Sequence, residues 1–200
     1  MNHPFWTPIL AITVVACAGR GPDTPSPPPS SAGAAPPVEP APSSSPATAS
    51  RDSIAWLASD SAARTATISV EVTRPAGAPS ALINGYRAGE ARIVVPLAWT
   101  IKWNWRNADS RAPHSLVVMT QREKIPLEGG PAAFSNAMTR MVTAGLPAGQ
   151  TDQTTFEAEE AGWYWLMCGV PGHAIEGEWV ELRVGPEAKA ARVEVKKREQ

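Results

Sequence analysis

From Thr65 onward the chain alternates with period two. Ile68, Val70 and Val72 interleave with Thr67, Ser69 and Glu71, as a strand buried on one face requires. Similar runs recur at 91–95, 100–106, 114–120, 153–158, 162–168 and 178–184, which makes seven short strands. Turn chemistry separates them, at Asn84-Gly85, Asn107-Ala108-Asp109, Gly129-Gly130-Pro131 and Pro147-Ala148-Gly149, and no long stretch of helical period competes. The pattern predicts an all-β fold, a Greek-key sandwich of antiparallel strands. Residues 51–63 read as a short helix. The connection 121–150 is long for a loop, and 132–142 within it reads as a helical turn. The domain is expected over 51–185, and the charged, weakly patterned segment 186–200 is expected to be a solvated end.

Charge narrows the function. The net charge is -1, and residues 51–184 carry 12 Lys and Arg against 14 Asp and Glu, so no basic stripe is present to neutralise phosphates. Nucleic acid is therefore excluded as a partner. Of the eight tryptophans, those at 99, 103, 105, 163, 165 and 179 read as core and strand packing, which is the common use of aromatics in a sandwich. Two cysteines and three histidines are too few for a disulfide scaffold, a haem-attachment motif or a Cys-rich zinc site.

The first 50 residues differ in kind. An apolar run from 5 to 18 is too short to span a membrane and has the length of a secretory signal, so residues 1–17 are expected to be an export signal. Val14-Val15-Ala16-Cys17 resembles a bacterial lipobox, which makes Cys17 a lipidation candidate; Ala16-Cys17-Ala18 also fits ordinary signal cleavage. Residues 18–50, rich in Pro, Ser and Ala, bury no apolar area and read as a disordered linker. At about 3.1 Å per residue, its proline-rich part could hold a domain up to roughly 90 Å from its anchor.

After such processing the chain keeps two histidines, His114 and His173, and one thiol, Cys168. Cys168 closes one strand and stands five residues before His173 in YWLMCGVPGHAIEGEW, so a short loop can aim a thiolate and an imidazole at one point. His114 opens another strand. A thiolate with two imidazoles is the trigonal set of a copper electron-transfer site, although zinc accepts the same groups.

PHSLVVM at 113–119 and YWLMCGVPGHAIEGEWVELRV at 164–184 resemble the cupredoxins, most closely the sulfocyanin group, whose loop reads CxxPGHAxxGMW. The resemblance covers about 64–185. It implies a cupredoxin sandwich with one type 1 copper passing single electrons, and it matches His114, Cys168 and His173 to the equatorial ligands. Where that group has an axial Met, this chain has Glu178. Alternation places Glu178 on the side of Val180, Leu182 and Val184, toward the core, where a carboxylate needs a partner. Glu178 is thus the axial candidate; Met119, Met138, Met141 and Met167 are the substitutes. Ligation by a carboxylate implies a low potential and a colour shifted from blue toward green or red.

The expected function is non-enzymatic electron carriage between redox proteins of a membrane respiratory chain. The resemblance places transient docking near His173. The membrane would be reached through a lipid anchor on the periplasmic side of a bacterial membrane. The alternatives are copper storage or delivery and, third, a red-copper redox enzyme.

Overall fold

The computed structural model describes residues 54–196. The export signal, Cys17 and the Pro-rich linker lie outside the described residues. Ten strands make up the fold: β1 (Leu57–Asp60), β2 (Thr65–Thr73), β3 (Leu82–Ile83), β4 (Ala91–Pro96), β5 (Thr100–Asn107), β6 (Val117–Thr120), β7 (Thr151–Glu157), β8 (Gly162–Met167), β9 (Trp179–Gly185) and β10 (Arg192–Val195). They form two sheets. The first runs β1-β2-β5-β7, with β3 also on β2, and the second runs β10-β4-β9-β8-β6.

Alternation drives the layering. Along β2 the side chains of Ala66, Ile68, Val70 and Val72 are buried, while those between them are not. Ile101, Trp103 and Trp105 do the same on β5, and Val180, Leu182 and Val184 on β9. These rows meet between the sheets in one core, to which Phe156 contributes an edge-on contact with Trp103 at 5.2 Å between ring centroids.

Five expectations need correction. The sheets are mixed: β2 and β5 pair in parallel, as do β4 and β9. Local pattern reports which face is buried and carries no information on strand direction. The segment expected as a helix at 51–63 contributes β1 instead; the Asp60 carboxylate accepts the backbone N–H groups of Ala62 and Ala63 and turns the chain straight back into β2. The charged end after Glu187 supplies β10, because Val193 packs against the core and the strand pairs with β4. The run 114–120 enters its sheet only at Val117, since residues 114–116 pair with the long connection.

That connection, 121–150, has no helical turn at 132–142. It is fastened to the body through Phe134, which is 4% exposed and lies against Phe156 and Tyr164, and through Ala137 N–H and carbonyl bonds to its neighbours. Among the described residues there is no helix.

Candidate metal centre

The pairing of β8 with β9 builds half of the site. Their register ends on Met167 opposite Trp179, so the next pair outward is Cys168 and Glu178, joined by a bond from Cys168 N–H to the Glu178 carbonyl at 3.0 Å. Residues facing each other across an antiparallel pair project to the same side. The thiol and the carboxylate therefore enter the core end together. Glu178 is 1% exposed and continues the buried row of Val180, Leu182 and Val184.

The intervening loop returns His173 to the same point. Its turns close through His173 N–H to the Val170 carbonyl at 3.2 Å and Glu178 N–H to the His173 carbonyl at 3.0 Å. Close backbone approach is needed at Gly169: a Cβ there would collide with Val142 and come within 3.2 Å of Gly129.

His114 arrives from the other side of the end. An isolated bridge to Leu146 holds its backbone, with N–H to O distances of 3.1 and 2.7 Å. The ring is fully buried.

One potential ligand atom from each of His114, Cys168, His173 and Glu178 lies within 4.8 Å of the others. Cys168 Sγ is 3.9 Å from His114 Nδ1 and 3.6 Å from His173 Nδ1. Glu178 Oε2 is 2.9 Å from His114 Nδ1 and 3.3 Å from His173 Nδ1. Despite these short distances neither carboxylate oxygen receives an aligned hydrogen bond. A buried carboxylate without one is costly unless another positive partner completes its shell. The four ligand atoms cluster around one point, which is the arrangement of a metal site.

The methionines stand elsewhere. Met138 and Met141 are exposed, Met119 Sδ accepts the Gly130 N–H, and Met167 packs with Val117, Trp165 and Ala174 on the opposite face of the sheet from Cys168.

Burial, reinforced by the charge of Glu178, pushes the Cys168 thiol far above its ordinary range, while the Ser115 N–H at 3.4 Å from Sγ pulls the other way. Burial would raise the Glu178 carboxyl too, but the two imidazoles beside it outweigh burial and hold it below its usual value. For His114 burial is likewise outweighed, by Glu178 and Asp109, and its proton is held more tightly than in water. A cation at the centre would favour a thiolate and release the imidazole protons at Nδ1.

Sequence reasoning missed the groups behind these four. Ser115 donates its N–H to the sulfur and its hydroxyl to the Val142 carbonyl, while the hydroxyl oxygen accepts the Gly169 N–H and ties two loops together. Asp109, only 2% exposed, sits 3.0 Å from His114 Nε2. The one signal for Asp109 was the Asn-Ala-Asp turn, which reads as turn chemistry.

Thiolate and imidazole are donors that suit copper, and a buried set of one sulfur, two nitrogens and one oxygen fits a single copper ion. In known structures the chain is similar to the copper protein rusticyanin, at 20% identity over 61% of this chain and 83% of that one, TM-score 0.43. Rusticyanin from Thiobacillus ferrooxidans is similar at 19% identity over 61% and 82%, TM-score 0.41. Dithionite-reduced auracyanin from Roseiflexus castenholzii is similar at 20% identity over 59% and 97%, TM-score 0.41. No curated protein matches the chain in sequence. The family model of the sulfocyanin (SoxE) domain matches residues 52–191, and on that match the chain belongs to the sulfocyanin family of cupredoxins.

Proposed function

We propose that this protein is an extracytoplasmic single-electron carrier, lipid-anchored through Cys17, in which Cys168, His114 and His173 hold one copper and Glu178 completes the set in place of a thioether. When bound, copper supplies the one-electron Cu(II)/Cu(I) couple. The observation that carries the reading is the Glu178 carboxylate, 1% exposed, with no hydrogen bond to either oxygen, and within reach of the three other donors.

The residues divide the work. With the metal held, Cys168 as a thiolate and Glu178 would bring two negative charges to a largely buried pocket, so the site would favour the more highly charged ion and a low reduction potential. A sandwich that fastens the donors from both sheets and the long connection limits their movement when the charge changes. The His173 side chain is 17% exposed, and Leu127 and Ile175 beside its loop are 62% and 59% exposed. Gly172 N–H bonds the Leu127 carbonyl at 2.7 Å, which brings these apolar groups to one rim. Such a rim suits brief contacts with redox proteins of a membrane respiratory chain, since electron-transfer interfaces are small and weak.

The test is the visible absorption and EPR spectrum of the purified protein after adding Cu(II), beside Glu178→Met. The expected result is an intense thiolate band displaced to wavelengths shorter than about 600 nm that returns toward it in the variant. A colourless, EPR-silent protein that holds Zn(II) instead overturns the reading.

A further inference from the structure

Asp109 is the buried charged group that the electron carrier, as described so far, does not use. Its carboxylate is fully engaged. Oδ2 lies 2.9 Å from Arg74 Nε and 3.0 Å from His114 Nε2, and Oδ1 accepts the Arg111 N–H at 2.9 Å with Arg111 Nε at 3.4 Å. The turn that presents it is equally fixed. Asn107, fully buried, accepts the Asp109 N–H at 2.9 Å and donates its amide to the carbonyls of Ala112 and Leu146, each at 2.9 Å. Leu146 is the residue whose backbone bridges His114. One hydrogen-bonded unit therefore sets both the backbone and the ring of that histidine.

A carboxylate can only accept, so the ring nitrogen facing it carries the proton. Of the two ring protons, the one at Nδ1, 2.9 Å from Glu178 Oε2, is the one a cation at the centre would displace, so with a metal bound His114 would keep its Nε2 proton on Asp109 and offer Nδ1 as the donor. Arg74, with 18% of its side chain exposed, partly neutralises the carboxylate that faces the ring.

We propose that Asp109 is a positioning residue for His114, and that Arg74 sets how much of its negative charge the imidazole feels. The proposal rests on the copper reading above. Asp109 fixes ring and tautomer and makes His114 a stronger donor to Cu(II), whereas Arg74 moderates that effect. The two residues thus pull the site in opposite directions.

The experiment compares the full-length protein with Asp109→Asn and Arg74→Gln, each folded by circular dichroism, for reduction potential and Cu(II) affinity. Asp109→Asn is expected to weaken Cu(II) binding about tenfold relative to Cu(I), which raises the potential by about 59 mV. Arg74→Gln is expected to lower the potential. A merely structural role would shift both variants in one direction or leave the potential unmoved, and either result overturns the proposal. A further readout needs no metal: in 15N-labelled metal-free protein, His114 should show a slowly exchanging Nε2 proton that disappears in Asp109→Ala. Its absence from the wild type overturns the proposal even if Asp109→Asn fails to fold. A wild type that shows this proton yet develops no thiolate band with Cu(II) sinks the copper reading alone, and a wild type with the band but no such proton sinks the Asp109 proposal alone.

Discussion

The two histidines reach one point by opposite means. His173 rides a nine-residue loop between Cys168 and Glu178, is held by bonds within that loop, and opens to solvent at 17% of its side chain. His114 is sealed in the body at 0% exposure, with its backbone bridged to a distant loop and its outer nitrogen against Asp109. The difference separates two duties. A ligand in contact with solvent can couple to a partner, and a ligand sealed among fixed dipoles can set the energy of the centre without contact with anything outside.

The strongest way to break this comparison is to remove each ring. His114→Gly and His173→Gly should each weaken Cu(II) binding by roughly 100-fold or more, since each deletes a donor outright. Added imidazole should restore the thiolate band in His173→Gly, where a surface opening admits it, and fail in His114→Gly. Titration of both variants with imidazole, followed by visible absorption, checks this; rescue of both to the same extent would contradict the division.

Glu178→Met should come next in size. Replacing a buried anion by a neutral donor removes a penalty on reduction of about 3 kcal/mol, roughly 130 mV for one electron, and the potential should rise by that order. Voltammetry of the two proteins measures it.

The anchoring of the sealed side can be sharpened through Asn107→Ala. Three hydrogen bonds disappear, two of them buried, leaving the Asp109 N–H and the Ala112 carbonyl unpaired while the Leu146 carbonyl keeps the His114 N–H, and the metal-free fold should lose about 2–4 kcal/mol by denaturant unfolding. Arg106→Ala on the outer face of β5 removes an exposed pair with Glu71 at 3.1 Å and should change stability by less than about 0.5 kcal/mol.

Acidity supplies another contrast within the metal-free protein. The Asp109 carboxyl is lowered to about 2: burial opposes this, but the Arg111 N–H, His114 and Arg74 prevail. Glu178 is lowered as well, so both carboxylates stabilise the fold above the ordinary carboxyl range near pH 4, and that stability is lost as pH falls through it toward their folded values. His114 is raised, so its contribution is complete below about pH 6.5 and is lost as pH rises through its folded value. Metal-free stability should peak between about pH 4.5 and 6.5. Unfolding curves across pH 3–9 check it, and a monotonic rise into the alkaline range would contradict the ion pair between His114 and Glu178.

Much of the centre was legible because it is local. Cys168, His173 and Glu178 lie within one turn-rich stretch, and the two-residue period of the following strand already turned Glu178 inward with Val180 and Leu182. Strand positions were legible for the same reason, from Ile68, Val70 and Val72 onward. Misreadings fell where a segment answers to distant partners. Val193 and Val195 sit in a charged stretch whose strand forms only because β4 offers an open edge, and residues 114–116 leave their sheet for Thr139 and Leu146.

The chain by itself determined the alternation that makes two apolar faces, the spacing that puts a thiol, an imidazole and a carboxylate in one loop, and a composition without a basic surface. These follow from local geometry and from counts of residue types. Tertiary structure alone decided that β2 lies parallel to β5, that His114 meets the Cys168 loop, and that Asp109 and Arg74 stand behind its ring. The reason is physical: periodicity reports which side of an element avoids water, whereas the identity of the neighbour across the core depends on how the sheets close, and Arg74, Asp109 and Cys168 are brought together only when they do.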